Sequence, residues 1–151
     1  MNSMWKILGT VALVLLAVSA AGIGKLVGKT ATKNLFDGKR ETEMRSTLMK
    51  AASKINENLP MMVDSETRLD ATIGMNKQFR YNYTLMNYTA EDIDIPAFNE
   101  AMKPSLVNKV CTTEEMVEFM NYGVSVTYAY HGKNGKKFTA ITIKPEFCNS
   151  I

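Results

Sequence analysis

The sequence predicts an α+β fold: an N-terminal hydrophobic helix followed by an α-β-β-α-β-β two-layer domain. Its four-stranded antiparallel sheet is expected to be packed by helices on one face. Three observations carry this prediction: an uncharged apolar run at 7–24, a switch from three-and-four spacing to strict alternation between residues 41 and 87, and the return of that order between 94 and 144. The boundaries follow: 1–28 is a membrane anchor or signal segment, 29–40 a linker, and 41–151 one extracytoplasmic domain.

Two readings fit the apolar run. At about 1.5 Å per residue it spans about 27 Å, and continuing through Leu26 and Val27 reaches a hydrocarbon core of about 30 Å. Residues 7–28 then form a single-pass anchor, with Trp5 at one interface and Lys25 snorkelling at the other. Alternatively the run is a signal peptide cut at the small residues Val18-Ser19-Ala20, releasing a secreted or periplasmic domain. The anchor is preferred because apolar character persists past the cleavage site. No cysteine lies near residue 20, which excludes a lipoprotein anchor. Ala20, Gly24 and Gly28 at four-residue spacing would suit a weak homodimer. Gly28-Lys29-Thr30 imitates a phosphate-binding loop, but the pattern needs glycine where Ile23 stands.

Orientation is contested. Lys25, Lys29, Lys33, Lys39 and Arg40 outweigh Lys6, which by the positive-inside rule points that side to the cytoplasm. A disulfide between Cys111 and Cys148 would place the domain outside. The outside is preferred, since an N-terminal apolar segment is the usual export signal.

In the domain, residues 41–59 read as a helix whose apolar stripe is Met44, Leu48, Ala51, Ala52 and Ile55, stopped by Pro60. Residues 67–74 alternate, with Leu69, Ala71 and Ile73 on one side and Arg68, Asp70 and Thr72 on the other. After a turn at 75–77, residues 78–87 alternate again and place Phe79, Tyr81, Tyr83 and Leu85 together. Asp94-Ile95-Pro96 starts the next helix, which Pro104 is expected to break. Thr112 and Glu115 offer a capping box for a third helix ending at Gly123. Residues 124–131 and 138–144 form the second hairpin around Asn134-Gly135.

Composition narrows function. The net charge of +3 is small and its lysines are spread out, so nucleic acid is not indicated. One histidine, His131, cannot supply a zinc site, no GxSxG or CxxC occurs, and no cofactor or metal is expected. The acids at 91–94 read as helix caps rather than a calcium loop. Asn82-Tyr83-Thr84 and Asn87-Tyr88-Thr89 match glycosylation sequons at strand positions. Cys111 and Cys148 read as a disulfide pinning the C-terminus to the helical layer. Tyr81, Tyr83, Tyr128 and Tyr130 roof the core or form a partner or ligand surface. Met61-Met62 is an exposed apolar pair between helix and sheet.

The expectation is a membrane-tethered, non-enzymatic domain outside the cytoplasm that works by contact with a protein partner. It would be an accessory envelope component or an immunity or inhibitor-type protein. The alternative is a small-ligand or lipid-binding module with a pocket between helices and sheet.

Overall fold

The computed structural model describes residues 40–150 of the chain. The anchor, its lysine flank and the Ala20, Gly24, Gly28 spacing therefore lie outside the described residues. Among those described, no helix is long and apolar enough to cross a membrane. The architecture is a mixed α+β domain of three helices and a five-stranded sheet. In chain order these are α1 (Arg40–Asn56), β1 (Met61–Met62), β2 (Thr67–Met75), β3 (Gln78–Leu85), α2 (Ile95–Thr112), α3 (Glu114–Asn121), β4 (Ser125–Gly132) and β5 (Lys137–Ile143). Short 3-10 turns occupy Ala90–Asp92 and Pro145–Ser150.

The sheet order is β1-β2-β3-β4-β5. Both expected hairpins form, and β2–β3 and β4–β5 are antiparallel. The central pair β3–β4 is parallel, which corrects the wholly antiparallel expectation. The reason lies in the connection: α2 and α3 carry the chain back along the sheet, so β4 sets out in the direction β3 took. The two-residue β1 adds a fifth strand to the edge of β2.

The β2–β3 turn is tight, with Asn76 and Lys77 both at positive φ (52° and 56°), the geometry of a two-residue primed hairpin. In the longer β4–β5 turn, Gly135 takes φ 76° and its N–H donates to the Gly132 carbonyl at 2.9 Å.

All three helices pack on one side of the sheet. The stripe Met44, Leu48, Ala51, Ala52 and Ile55 is buried as expected, and α1 lies on β2. On the other side of that layer α2 packs on β5. Helix α2 runs through Pro104 without a break, against expectation. Phe98 and Met102 before the proline, and Leu106 and Val110 after it, are all buried, so apolar contact holds both halves where one backbone hydrogen bond is missing. Its start is as expected: Asp94 accepts from the Ala97 N–H at 3.0 Å.

The Thr112 capping box does not form. Thr112 is spent inside α2, its hydroxyl donating to the Asn108 carbonyl at 2.8 Å, and Thr113 becomes the hinge between α2 and α3.

Strand β2 brings a further correction. A bulge between Leu69 and Ala71 shifts its alternation, so Leu69, Thr72 and Gly74 face the helices while Ile73 faces away. Gly74 is where α1 comes closest: a Cβ there would overlap the Leu48 carbonyl.

Candidate interaction surface

The parallel register sets Tyr81 beside Tyr128 and Tyr83 beside Tyr130, all four on the helix side. Their rings stack at centroid distances of 5.3 Å (Tyr81–Tyr128) and 5.5 Å (Tyr83–Tyr130), with a diagonal Tyr83–Tyr128 contact at 6.5 Å. Phe79 joins one end of this ladder at 5.1 Å from Tyr81, and Phe98 meets Tyr130 edge-on at 5.0 Å. Every one of the four tyrosines is at most 3% exposed. They are core residues, so the expected partner or ligand surface is not built from these rings. Pattern alone could not separate the two roles, because parity tells which tyrosines share a face and not what covers it.

Burial pushes the phenol pKa of all four well up, and neighbouring rings add to the shift for Tyr81, Tyr83 and Tyr130. The hydroxyls of Tyr81 and Tyr130, and Thr67 Oγ1, are buried with no hydrogen-bond partner among the described residues.

Cys111, in the last turn of α2, and Cys148, in the C-terminal 3-10 turn, form the expected disulfide with a Cα–Cα distance of 5.2 Å. It ties the chain end beyond β5 to the helical layer. Lys103 sits over the Phe147 ring at 5.0 Å and reinforces the same junction.

The acids at 91–94 are spent on local structure. Asp92 accepts from Thr89 N–H and Oγ–H at 2.8 and 2.7 Å. Glu91 reaches the β4–β5 turn, accepting from Lys136 at 2.6 Å and Asn134 at 2.8 Å. The Lys136 hydrogen bond is the main reason its carboxyl falls to about 2. His131 Nδ1 lies 3.2 Å from the Tyr83 carbonyl and so donates to it. Among the described residues no group of three His, Cys, Asp or Glu side chains is placed to hold a metal.

Among the described residues, no helix packs on the face of the sheet opposite α1, α2 and α3. On this face Ala129 and Thr127 are buried and Ala140 is exposed, and the Thr127 and Thr142 hydroxyls are 2.9 Å apart. Towards β2, Asp70 accepts from both Arg68 and the Thr84 hydroxyl, a fixed polar patch. Further along β2, Ile73, opposite Arg80, and Met75, opposite Gln78, are 46% and 44% exposed, and Met62, opposite Arg68, is 47% exposed. Met61-Met62 is thus an exposed pair, as the sequence suggests. Simple alternation puts Ile73 on the helix side with Leu69, whereas the bulge turns it to the opposite face. The signal that locates it is Gly74, whose missing side chain marks the position that must face a close-packed helix.

The fold resembles solved structures at low identity. A protein described as secreted, from Pseudomonas aeruginosa, aligns with a TM-score of 0.64 at 14% identity, over 74% of this chain and 97% of the other. The type II secretion system pilotin AspS from Vibrio cholerae gives 0.54 at 10% identity, over 72% and 94%. The pilotin EpsS of the Vibrio vulnificus type 2 secretion system gives 0.58 at 10% identity, again over 72% and 94%. At these identities the likeness shows the fold. No curated protein matches the sequence. Residues 42–139, from the first turn of α1 into β5, match one family model, and the chain belongs to that family, described as a domain of unknown function, DUF8479.

Proposed function

We propose that the chain is a non-enzymatic domain working outside the cytoplasm by protein contact, as an accessory component of an envelope machine. The observation that carries this reading is the sheet face that no helix among the described residues covers. Two large apolar side chains of β2, Ile73 and Met75, stand nearly half exposed there, and the ordered Arg68–Asp70–Thr84 group lies on the same strand pair. Exposed apolar groups rimmed by fixed polar ones are the composition of a contact surface. The Cys111–Cys148 bond supports an oxidising compartment. The fold shared with one protein described as secreted and with two pilotins supports the same setting.

Tethering through residues 7–28 belongs to this proposal, with cleavage near Ala20 as its alternative. The small-ligand reading is weaker, because the tyrosines that would line a pocket stack on one another and fill the layer between helices and sheet.

Cross-linking in native membranes, followed by purification, tests the proposal. Wild type is expected to carry a defined protein partner. The double variant Ile73→Asp with Met75→Asp should lose it while keeping the wild-type melting curve. A wild-type chain that emerges monomeric and partnerless would overturn the reading.

A further inference from the structure

The two edges of the sheet are finished differently. On the β2 edge the backbone is engaged from Thr67 to Thr72. The Val63 N–H donates to the Thr67 carbonyl at 2.9 Å, β1 pairs with Arg68 and Leu69, and the Asn56 amide takes both backbone groups of Thr72. At the other edge, β5 pairs with β4 on one side only. In an antiparallel pair, alternate residues turn their N–H and C=O groups away from the neighbouring strand. Among the described residues, nothing hydrogen-bonds those outward groups of β5.

The sequence of β5 carries none of the devices that blunt an edge. Thr139-Ala140-Ile141-Thr142-Ile143 contains no charge, proline or glycine, and its register with β4 is continuous. The bulge falls before it, between Lys137 and Thr139. Threonine and isoleucine favour extended backbone. On the helix side Ile141 and Ile143 are buried, and the Thr139 hydroxyl donates to Asn99 of α2 at 2.8 Å, so the strand is pinned. On the other face Ala140 is exposed and Thr142 half-buried, and side chains this small leave the edge approachable.

A free row of backbone groups on a pinned strand has one complementary chemistry, another extended backbone. We propose that β5 receives an extended segment of a partner protein as a further strand of the sheet. Backbone hydrogen bonds supply the attachment. Side chains flanking Ile141 and Ile143 on one face, and Ala140 and Thr142 on the other, set its register. The segment is uncharged through its middle, β-branched or aromatic, and without proline at its bonded positions. Charge selects the partner at the ends. Lys144 has Glu146 at 3.7 Å, whereas exposed Lys137 makes no ion pair among the described residues. The segment therefore carries a carboxylate where it passes Lys137. Two copies of this chain paired about Ile141 would set Lys137 beside Pro145 and the Lys144–Glu146 pair, whose charge is already balanced. This edge is separate from the sheet face proposed above, and neither proposal depends on the other.

The test selects random linear peptides of about seven residues, displayed on phage, against the full chain in detergent micelles. Selected peptides should show an uncharged β-branched or aromatic run with an acid at one end. They should slow hydrogen exchange at those amides from Thr139 to Ile143 that face away from β4, and at none in β2. Methylating the peptide's backbone nitrogens one at a time should weaken binding at least about tenfold at alternate positions only, since every second N–H is bonded. Affinity should be unchanged in Ile73→Asp with Met75→Asp. The proposal is overturned by a selection that returns no peptide, by peptides that protect other residues or are lost in that double variant, or by a methylation pattern without alternation. Slow exchange at these amides in the peptide-free chain overturns it as well. The edge is then already filled, by a second copy where the chain is dimeric and by its own residues where it is monomeric.

Discussion

Asn56, the last residue of α1, holds Thr72 of β2 by both backbone groups. Its Oδ1 accepts from the Thr72 N–H at 2.7 Å and its Nδ2 donates to the Thr72 carbonyl at 2.9 Å. The side-chain amide thus does for Thr72 what a neighbouring strand would do. The Thr72 hydroxyl also donates towards Ala52 O at 3.1 Å and Asn56 Oδ1 at 3.0 Å. Strand β1 covers only Leu69 and Arg68, so Asn56 closes the edge just beyond it.

Asn56→Ala should therefore destabilise the domain by about 1–3 kcal/mol, since partners buried with Thr72 are left unmade. Urea unfolding measures it, and hydrogen exchange should quicken at the Thr72 amide before the rest of β2. Gly74→Ala, which drives a methyl into the Leu48 carbonyl, should cost at least as much, because α1 must lift from the sheet.

The tyrosine ladder gives a prediction of opposite sign. The Tyr130 and Tyr81 hydroxyls are buried without protein partners, so Tyr130→Phe and Tyr81→Phe should be neutral or stabilising. Tyr130→Ala removes the ring that Phe98 and Tyr83 pack on and should cost about 3–5 kcal/mol. Thermal melts of the paired variants check both, and a destabilised Tyr130→Phe would show that its hydroxyl is bonded.

The same rings set the alkaline limit. Their folded pKa values are raised by burial above the ordinary value near 10. The unfolded chain therefore loses phenol protons first as pH climbs. This contribution is full below pH about 10 and falls above it. In the double variant Tyr88→Phe with Tyr122→Phe, which leaves only these four phenols, phenolate absorbance should accordingly rise together with loss of structure, not ahead of it.

At the acid end, Glu91 titrates near 2 because Lys136 donates to its carboxylate. Its contribution is present above the ordinary carboxylate range and is lost as pH falls towards 2. Carboxyl NMR titration should find that midpoint in wild type and return it upward in Lys136→Ala. The residues are exposed, so the effect is local to the β4–β5 turn and the preceding 3-10 turn.

Reducing the Cys111–Cys148 bond should lower stability by about 3–4 kcal/mol, the expectation for a closed loop of 37 residues. Unfolding with and without reductant measures it. Intact mass under non-reducing conditions should read two hydrogens below the free dithiol.

Local chemistry determined a good part of this protein. The α1 stripe from Met44 to Ile55, the two hairpins with their turns, the Asp94 cap and the cysteine pair follow from spacing and side-chain type. Each depends on residues close in sequence, or on a count that leaves one pairing. What tertiary structure decided depends on which surfaces meet. The bulge at Leu69–Ala71 turns Ile73 outward because Gly74 and Thr72 are needed against α1. Pro104 stays within α2 because buried contacts on both sides outweigh one lost hydrogen bond. The β3–β4 pair is parallel because two helices intervene, and that register stacks the tyrosines in the core. Alternation shows that Tyr81 and Tyr83 share one face of their strand, and Tyr128 and Tyr130 one face of theirs; only the packed helices determined that this face is interior, leaving Ile73 and Met75 on the opposite one.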